Sequence, residues 1–343
     1  MLVYFLVLLV PLALGLLHPV YPKSSYPGFW LYFFVLLVFC GFRFKVGADW
    51  SGYLNIYEDN LYRKFANVQD FYEPGFFLIN KASDWLGFGF AGVIFSGSLI
   101  FLYGCFSYAR QTPNPWLAVA TVMPYLIFIV SLSGIRQACA IGIGLYLFAK
   151  WERSTLLGKL VVIALAVSFH NSAAVLLFFV IFSVDISVLL RVMLSILVVA
   201  FVGYGFDQSD ALAKYQSVYL EQNVVSGGAF FHVLLIAFPS ALYLWYRKPL
   251  EAFGVADKNV LLASLLTIAA MPLLLVSSTG VDRLTLYFSF VQMWVYPALL
   301  HAGVVNRDTI RVSIGVLVMA IFFVYFLFGS HAFAYLPYQN ILF

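Results

Sequence analysis

The chain has 343 residues, of which 63% are hydrophobic and only 10% charged, and its mean hydropathy is +0.96. No soluble domain can solvate such a surface, so the composition excludes a soluble protein and defines an all-α polytopic integral membrane protein. The net charge of +4 carries little meaning in bulk; its distribution across the bilayer is what informs.

The opening run, MLVYFLVLLVPLALGLL, lacks a basic n-region and a small-x-small cleavage site, and reads as a retained first span. Apolar runs of bilayer length follow near 28–44, 87–108, 115–132, 134–149, 186–204, 230–246, 260–279, 283–300 and 312–329. With the interrupted stretch 158–183 these predict a bundle of about 10–12 membrane segments forming one transmembrane domain, 1–343. Its larger outer loops fall at about 45–73 and 205–229, and none is long enough for a separate soluble domain. Cys40, Cys105 and Cys139 are widely spaced in apolar runs and read as buried thiols, not as a disulfide or metal framework.

The first large loop, KVGADWSGYLNIYEDNLYRKFANVQDFYEPG, carries Asp49 in a Gly-Ala-Asp-Trp turn and Glu73 just before Pro74. Pro74 suits the first position of a new helix over 74–86, interfacial or re-entrant. Either carboxylate can serve as a base, or as a cap or solvated loop charge. Trp50, Tyr53 and Tyr57 crowd the same loop, as an interfacial aromatic belt or as a stacking surface for sugar rings.

The run SLSGIRQACAIGIGLYLFAK puts Arg136 in the first turn of a membrane helix, with Ser133 as the expected N-cap. Gly134, Ala138 and Gly142 recur four apart, which predicts close backbone approach in the bundle core. Further on, SSTGVDRLTLYF repeats the arrangement, with Thr279 or Asp282 as cap and Arg283 in the first turn. A helix N-terminus is already positive, so an added guanidinium makes an anion site. The alternative is an arginine that snorkels to lipid headgroups or pairs with a carboxylate such as Asp282.

The stretch GKLVVIALAVSFHNSAAVLLFFVIFS is interrupted by His170-Asn171-Ser172, with Ser172 the expected cap of its second half. It is one long span with a polar triplet, or two half-length helices meeting there. Under the hairpin reading, with the N-terminus outside, the cytoplasmic side holds 11 of the 19 lysines and arginines and 5 acidic residues, a net of +6. The outer side then has 8 basic and 10 acidic residues, a net of −2, whereas a single span leaves only 7 basic residues inside. The positive-inside rule therefore favours a broken or re-entrant pair. A histidine at such a break needs partners: it marks a functional site, or it merely hydrogen-bonds a freed carbonyl.

Together these motifs resemble the EpsG-like branch of the Wzy polysaccharide polymerases. The likeness rests on VGADWSGY at 46–53, EPGFFLIN at 73–80, SGIRQACAIGI at 133–143, FHNSA at 169–173, DRLTLYFS at 282–289 and the terminal PYQNIL. The resemblance implies a GT-C-like helical bundle acting as a metal-independent glycosyltransferase in the bacterial inner membrane, with its active site facing the periplasm. Its substrates, donor and acceptor, would be undecaprenyl-pyrophosphate-linked oligosaccharide repeat units for O-antigen, capsule or exopolysaccharide. Surrounding membrane lipid, and a chain-length regulator and flippase of the same route, would be its partners; no nucleic acid, metal or cofactor is implied. Carried over, the family positions fall on Asp49, Glu73, Arg136, His170 and Arg283. Arg136 and Arg283 would bind pyrophosphate, His170, Glu73 or Asp49 would act as base or acceptor orienter, and Trp50, Tyr53 and Tyr57 would contact glycan. A carrier of lipid-linked glycan and a glycan acyltransferase using His170 are the competing readings.

Overall fold

The computed structural model describes residues 1–17, 26–62, 73–207 and 227–342. Among them there is no strand, only an isolated bridge between Arg43 and Asn340, and the architecture is that of an all-α polytopic membrane protein. Among the described residues, five helices are long and apolar enough to cross a membrane: Gly89–Ala109, Pro115–Ser133, Gly228–Trp245, Lys258–Leu275 and Arg307–Phe328. Shorter apolar helices fill in between them.

In chain order, α1 (Leu2–Leu17), α2 (Tyr26–Gly41), α3 (Trp50–Tyr62), α4 (Pro74–Trp85) and α5 (Gly89–Ala109) form the first half. The first outer loop thus contains a helix, α3, while residues 63–72 lie outside the described residues. The second outer loop, expected at 205–229, falls mostly outside them too.

The centre of the bundle is α6 (Pro115–Ser133), buried along nearly its whole length. It widens to π-helical winding over Met123–Val130, where Pro124 supplies no N–H. One residue, Gly134, separates it from α7 (Ile135–Ala149). Helix α7 runs parallel to α5, with Gly97 against Ile135 and Gly104 against Gly142. The approach is so close that a Cβ on Gly104 would lie 1.8 Å from the Gly142 carbonyl oxygen, as the small-residue spacing predicted.

The interrupted stretch is a hairpin. Helix α8 (Leu156–Phe169) ends at His170, whose backbone is extended (φ −159°, ψ 120°), and the chain returns through a 3-10 turn, Asn171–Leu176, into α9 (Leu177–Ser183). Both arms finish at Trp151: the Lys159 ammonium lies 4.1 Å over its ring and the Phe179 ring 6.3 Å away. A continuous helix would hold residues 159 and 179 about 30 Å apart. The cap of the returning segment is His170 and not Ser172, because the imidazole takes the Ser172 N–H.

Beyond the hairpin come α10 (Val188–Asp207), α11 (Gly227–Trp245), α12 (Arg247–Ala252), α13 (Lys258–Ala270), α14 (Ser278–Thr285), α15 (Phe290–Ala302) and α16 (Arg307–Phe328). The apolar run expected as one helix from 283 is divided by a 3-10 turn, Leu286–Phe288, so Arg283 occupies the last turn of α14. The alternation of helix directions puts Arg110, Lys150, Arg153, Arg247, Lys248 and Arg307 at the end of the bundle away from His170.

The joint between α6 and α7 is held by the chain following α2. Arg43 is buried, and its guanidinium donates to the carbonyls of Cys40 (2.7 Å), Val46 (3.3 Å) and Leu132 (3.1 Å) and to Ser98 Oγ (3.3 Å). Gly47, at φ 114°, sits where a Cβ would lie 2.1 Å from the Leu132 oxygen, so both its conformation and its contact require glycine. The three native cysteines are free and buried. With that silent background, Arg153→Cys and Asp185→Cys should react with an impermeant thiol reagent from the same side of the membrane. Labelling from opposite sides would replace the hairpin by a single span.

Candidate functional site

At the His170 end, four of the charged or titratable residues singled out in the sequence converge. Pro74 starts α4, and Glu73 is its N-cap position, yet the Glu73 carboxylate makes no cap hydrogen bond. It turns instead to Arg136 and accepts from Nη1 at 2.7 Å. Glu73 is buried, with 6% of its side chain exposed against 34% for Arg136, so one partner is sealed and the other open to a ligand. Gly75 lets α4 press onto Ser168 and Phe169, which brings Glu73 beside the end of α8. Burial pushes the Glu73 carboxyl up to about 7, against the opposing pull of Arg136 and Arg283.

Arg136 lies in the first turn of α7, as expected, but Ser133 does not cap that helix. The Ser133 hydroxyl is taken by the Ala48 N–H (2.8 Å) and the Tyr335 hydroxyl (2.5 Å), and Gly134 stands at the cap position. The Arg136 guanidinium is 5.6 Å over the Tyr53 ring, and its backbone N–H donates to the Tyr53 hydroxyl at 3.4 Å. Its Nε is buried and has no hydrogen-bond partner.

The next residue, Gln137, donates through Nε2 to the Arg283 carbonyl at 2.8 Å, tying α7 to α14. Helix α14 is capped by Ser277, which accepts from the Gly280 N–H, and not by Thr279 or Asp282. Arg283 therefore gains no helix N-terminus to reinforce it. Among the described residues it has no ion pair, and its charge acts on Glu73, His170 and Tyr287. Asp282 faces the other way and pairs with His232 Nδ1 at 3.2 Å, while the His232 ring stacks on Tyr125 with centroids 4.3 Å apart.

His170 is half-buried at the hairpin tip. Its Nδ1 is 3.3 Å from the Ser172 N–H and 2.7 Å from Ser172 Oγ, and that hydroxyl is 3.0 Å from the Tyr287 hydroxyl. The charges of Arg136 and Arg283 both reach this imidazole.

The remaining sequence candidates lie around this cluster. Asp49 is exposed at the start of α3, near Tyr335, and has no ion pair among the described residues. Trp50 is half-buried between the Phe44 and Phe90 rings, at 5.9 and 5.2 Å. Tyr57 is buried and donates to Asp84 at 3.3 Å, and Tyr53 is buried between Arg136 and the Phe76 ring. Sequence reasoning missed Arg43, Gln137, His232 and Tyr287. The DRLTLYFS segment that flagged Arg283 also holds Tyr287, one helical turn on, which is the nearest thing to a signal.

The arrangement defines a multi-pass membrane protein with a polar centre of two arginines, a buried carboxylate and an imidazole at one end of the bundle. The chain belongs to the EpsG family, whose model matches residues 29–340. That family has a membrane polysaccharide-polymerase-like role. No curated protein and no solved structure matches the chain.

Removing Glu73 leaves the Arg136 guanidinium with one flank facing a dry wall. Glu73→Gln should therefore lower the thermal midpoint of the detergent-purified protein, equivalent to about 1–3 kcal/mol once the partial exposure of Arg136 is allowed for. An unchanged midpoint would show that the pair contributes nothing to the fold.

Proposed function

We propose that the chain polymerises lipid-linked oligosaccharide repeat units at the periplasmic face of the bacterial inner membrane. The reaction transfers the growing glycan from undecaprenyl pyrophosphate to a hydroxyl of the next repeat unit. The observation that carries the reading is the convergence of Arg136, Arg283, Glu73 and His170 at one end of the bundle, in a chain of the EpsG family. The basic connections lie at the opposite end, which supports an outward-facing site under the positive-inside rule.

Each residue has a chemical task. Cleaving the glycosyl–pyrophosphate bond concentrates negative charge on the departing diphosphate, and preorganised cations stabilise it. Arg136 and Arg283 supply them, Arg136 as a planar fork that engages two oxygens at once. The acceptor hydroxyl must lose its proton as its oxygen attacks the anomeric carbon, and Glu73 is the base. In the resting protein Glu73 is neutralised by Arg136. A diphosphate arriving on Arg136 competes for that guanidinium and frees the carboxylate, so the base becomes available when donor is bound. Asp49 and Trp50, exposed and half-buried at the mouth of the cluster, orient acceptor sugars; Tyr53 and Tyr57 back the site from within.

The deciding experiment gives the purified protein a pyrophosphate-linked repeat unit. A ladder of lengthening glycans with release of lipid pyrophosphate is expected; unchanged substrate would replace the polymerase by a carrier, and a requirement for an acyl donor would indicate acyl transfer. Arg136→Lys should cut polymer formation about 100-fold or more with normal insertion, because a point charge replaces the fork. Wild-type polymer length in that variant removes Arg136 from the chemistry. Glu73 acts only when deprotonated, so kcat/KM, which reports the free enzyme, should climb as pH rises through about 7. In Glu73→Gln that rising limb should vanish along with most of the activity.

A further inference from the structure

The hydrogen bonds around His170 fix which of its nitrogens carries the proton. The Ser172 backbone N–H can only donate, and it points at Nδ1 from 3.3 Å. An Nδ1 that accepts must hold a lone pair, so the ring is neither the Nδ1–H tautomer nor the imidazolium, both of which would set N–H against N–H. The Ser172 hydroxyl, 2.7 Å from the same nitrogen, then also donates to it. Its own oxygen, 3.0 Å from the Tyr287 hydroxyl, then accepts a hydrogen bond from that group. A directed chain results: Tyr287 O–H to Ser172 O–H to His170 Nδ1. Ser172 and Tyr287 are buried, so water does not compete for these positions.

We infer that Tyr287 and Ser172 are positioning residues that hold His170 as a neutral Nε2–H donor aimed at an oxygen of the departing diphosphate, and that His170 is not the base. The inference rests on the glycosyl-transfer reading of the site given above. It follows from geometry that the one proton His170 can offer sits on the nitrogen away from the relay. Arg136 and Arg283 act on the same ring, so a ligand reaching His170 lies among groups that attract anions. The groups left to meet an anion in this corner, the Arg136 and Arg283 guanidinium groups and the His170 Nε2–H, are all donors. No proton leaves His170 during the reaction: the acceptor hydroxyl proton goes to Glu73, the anomeric C–O bond to pyrophosphate breaks with its electron pair on the phosphate oxygen, and His170 donates a hydrogen bond to that oxygen throughout.

Two readouts test this. Nitrogen-15 NMR of histidine-labelled protein in lipid nanodiscs, with the His170 signal assigned by its loss in His170→Gln, should show a neutral ring protonated at Nε2. Ser172→Ala should turn that signal into a mixture of tautomers, Ser172→Thr should restore it, and Tyr287→Phe should weaken the preference. In the polymerisation assay, His170→Gln should keep activity within about tenfold of wild type, since its amide can place an N–H near the Nε2 position. His170→Ala should fall about 100-fold. An Nδ1–H tautomer in wild type, or His170→Gln as inactive as His170→Ala in a folded protein, overturns the inference. If wild-type protein forms no polymer yet shows the Nε2–H ring, the glycosyl-transfer reading fails and the relay stands; polymerisation with an Nδ1–H ring is the reverse.

Discussion

Where α6 ends, the Leu132 carbonyl leaves the helical ladder inside a bundle that offers no water, and Arg43 supplies the missing donor. A buried backbone carbonyl left without a donor costs about 1–3 kcal/mol, so the one-residue joint between two membrane helices is stabilised by this outside partner. The arrangement is reciprocal. Arg43 is itself a buried cation, and three carbonyls and a serine hydroxyl take the place of a carboxylate counter-ion. Because the joint is fixed, Arg136, two residues beyond it, starts α7 at a defined place relative to α3, α4 and α14. The polar centre inherits its geometry from this anchorage.

Arg136 and Arg283 reach a common site by different means. One begins a long helix and is balanced by Glu73; the other ends a short helix and has no ion-pair partner among the described residues. The sequence pattern suggested symmetry, and the structure is asymmetric. In the proposed reaction that asymmetry has a use: Arg283 would meet the diphosphate directly, and Arg136 would exchange Glu73 for it. The exchange would then have a chemical output, because the carboxylate released from the guanidinium is one whose proton affinity burial has already raised.

The membrane class, the hairpin at 158–183 and the close backbone approach along α7 were legible from hydropathy, charge bias and small-residue spacing. The caps were not. Ser133 has the right position to cap α7, but its hydroxyl is claimed by Ala48 and Tyr335, which are 85 and 202 residues away. Ser172 lost its role to the neighbouring imidazole, a side chain that cap preferences rank low. The division between α14 and α15 was hidden because a 3-10 turn of Leu286, Tyr287 and Phe288 is as apolar as the helix it interrupts. Arg43 looked like one more outer basic residue, since a single sequence does not tell a cation in solvent from one surrounded by carbonyls.

The contacts of Tyr335 bear on the order in which the molecule is assembled. Its hydroxyl meets Ser133 and the Ile129 carbonyl, its own carbonyl receives the Tyr4 hydroxyl, and the neighbouring Ala334 carbonyl accepts from Gly47. Tyr335 follows every α-helix among the described residues, so during translation it is made after the helices it ties together. The joint at Gly134 therefore gains these contacts only once residue 335 has been added.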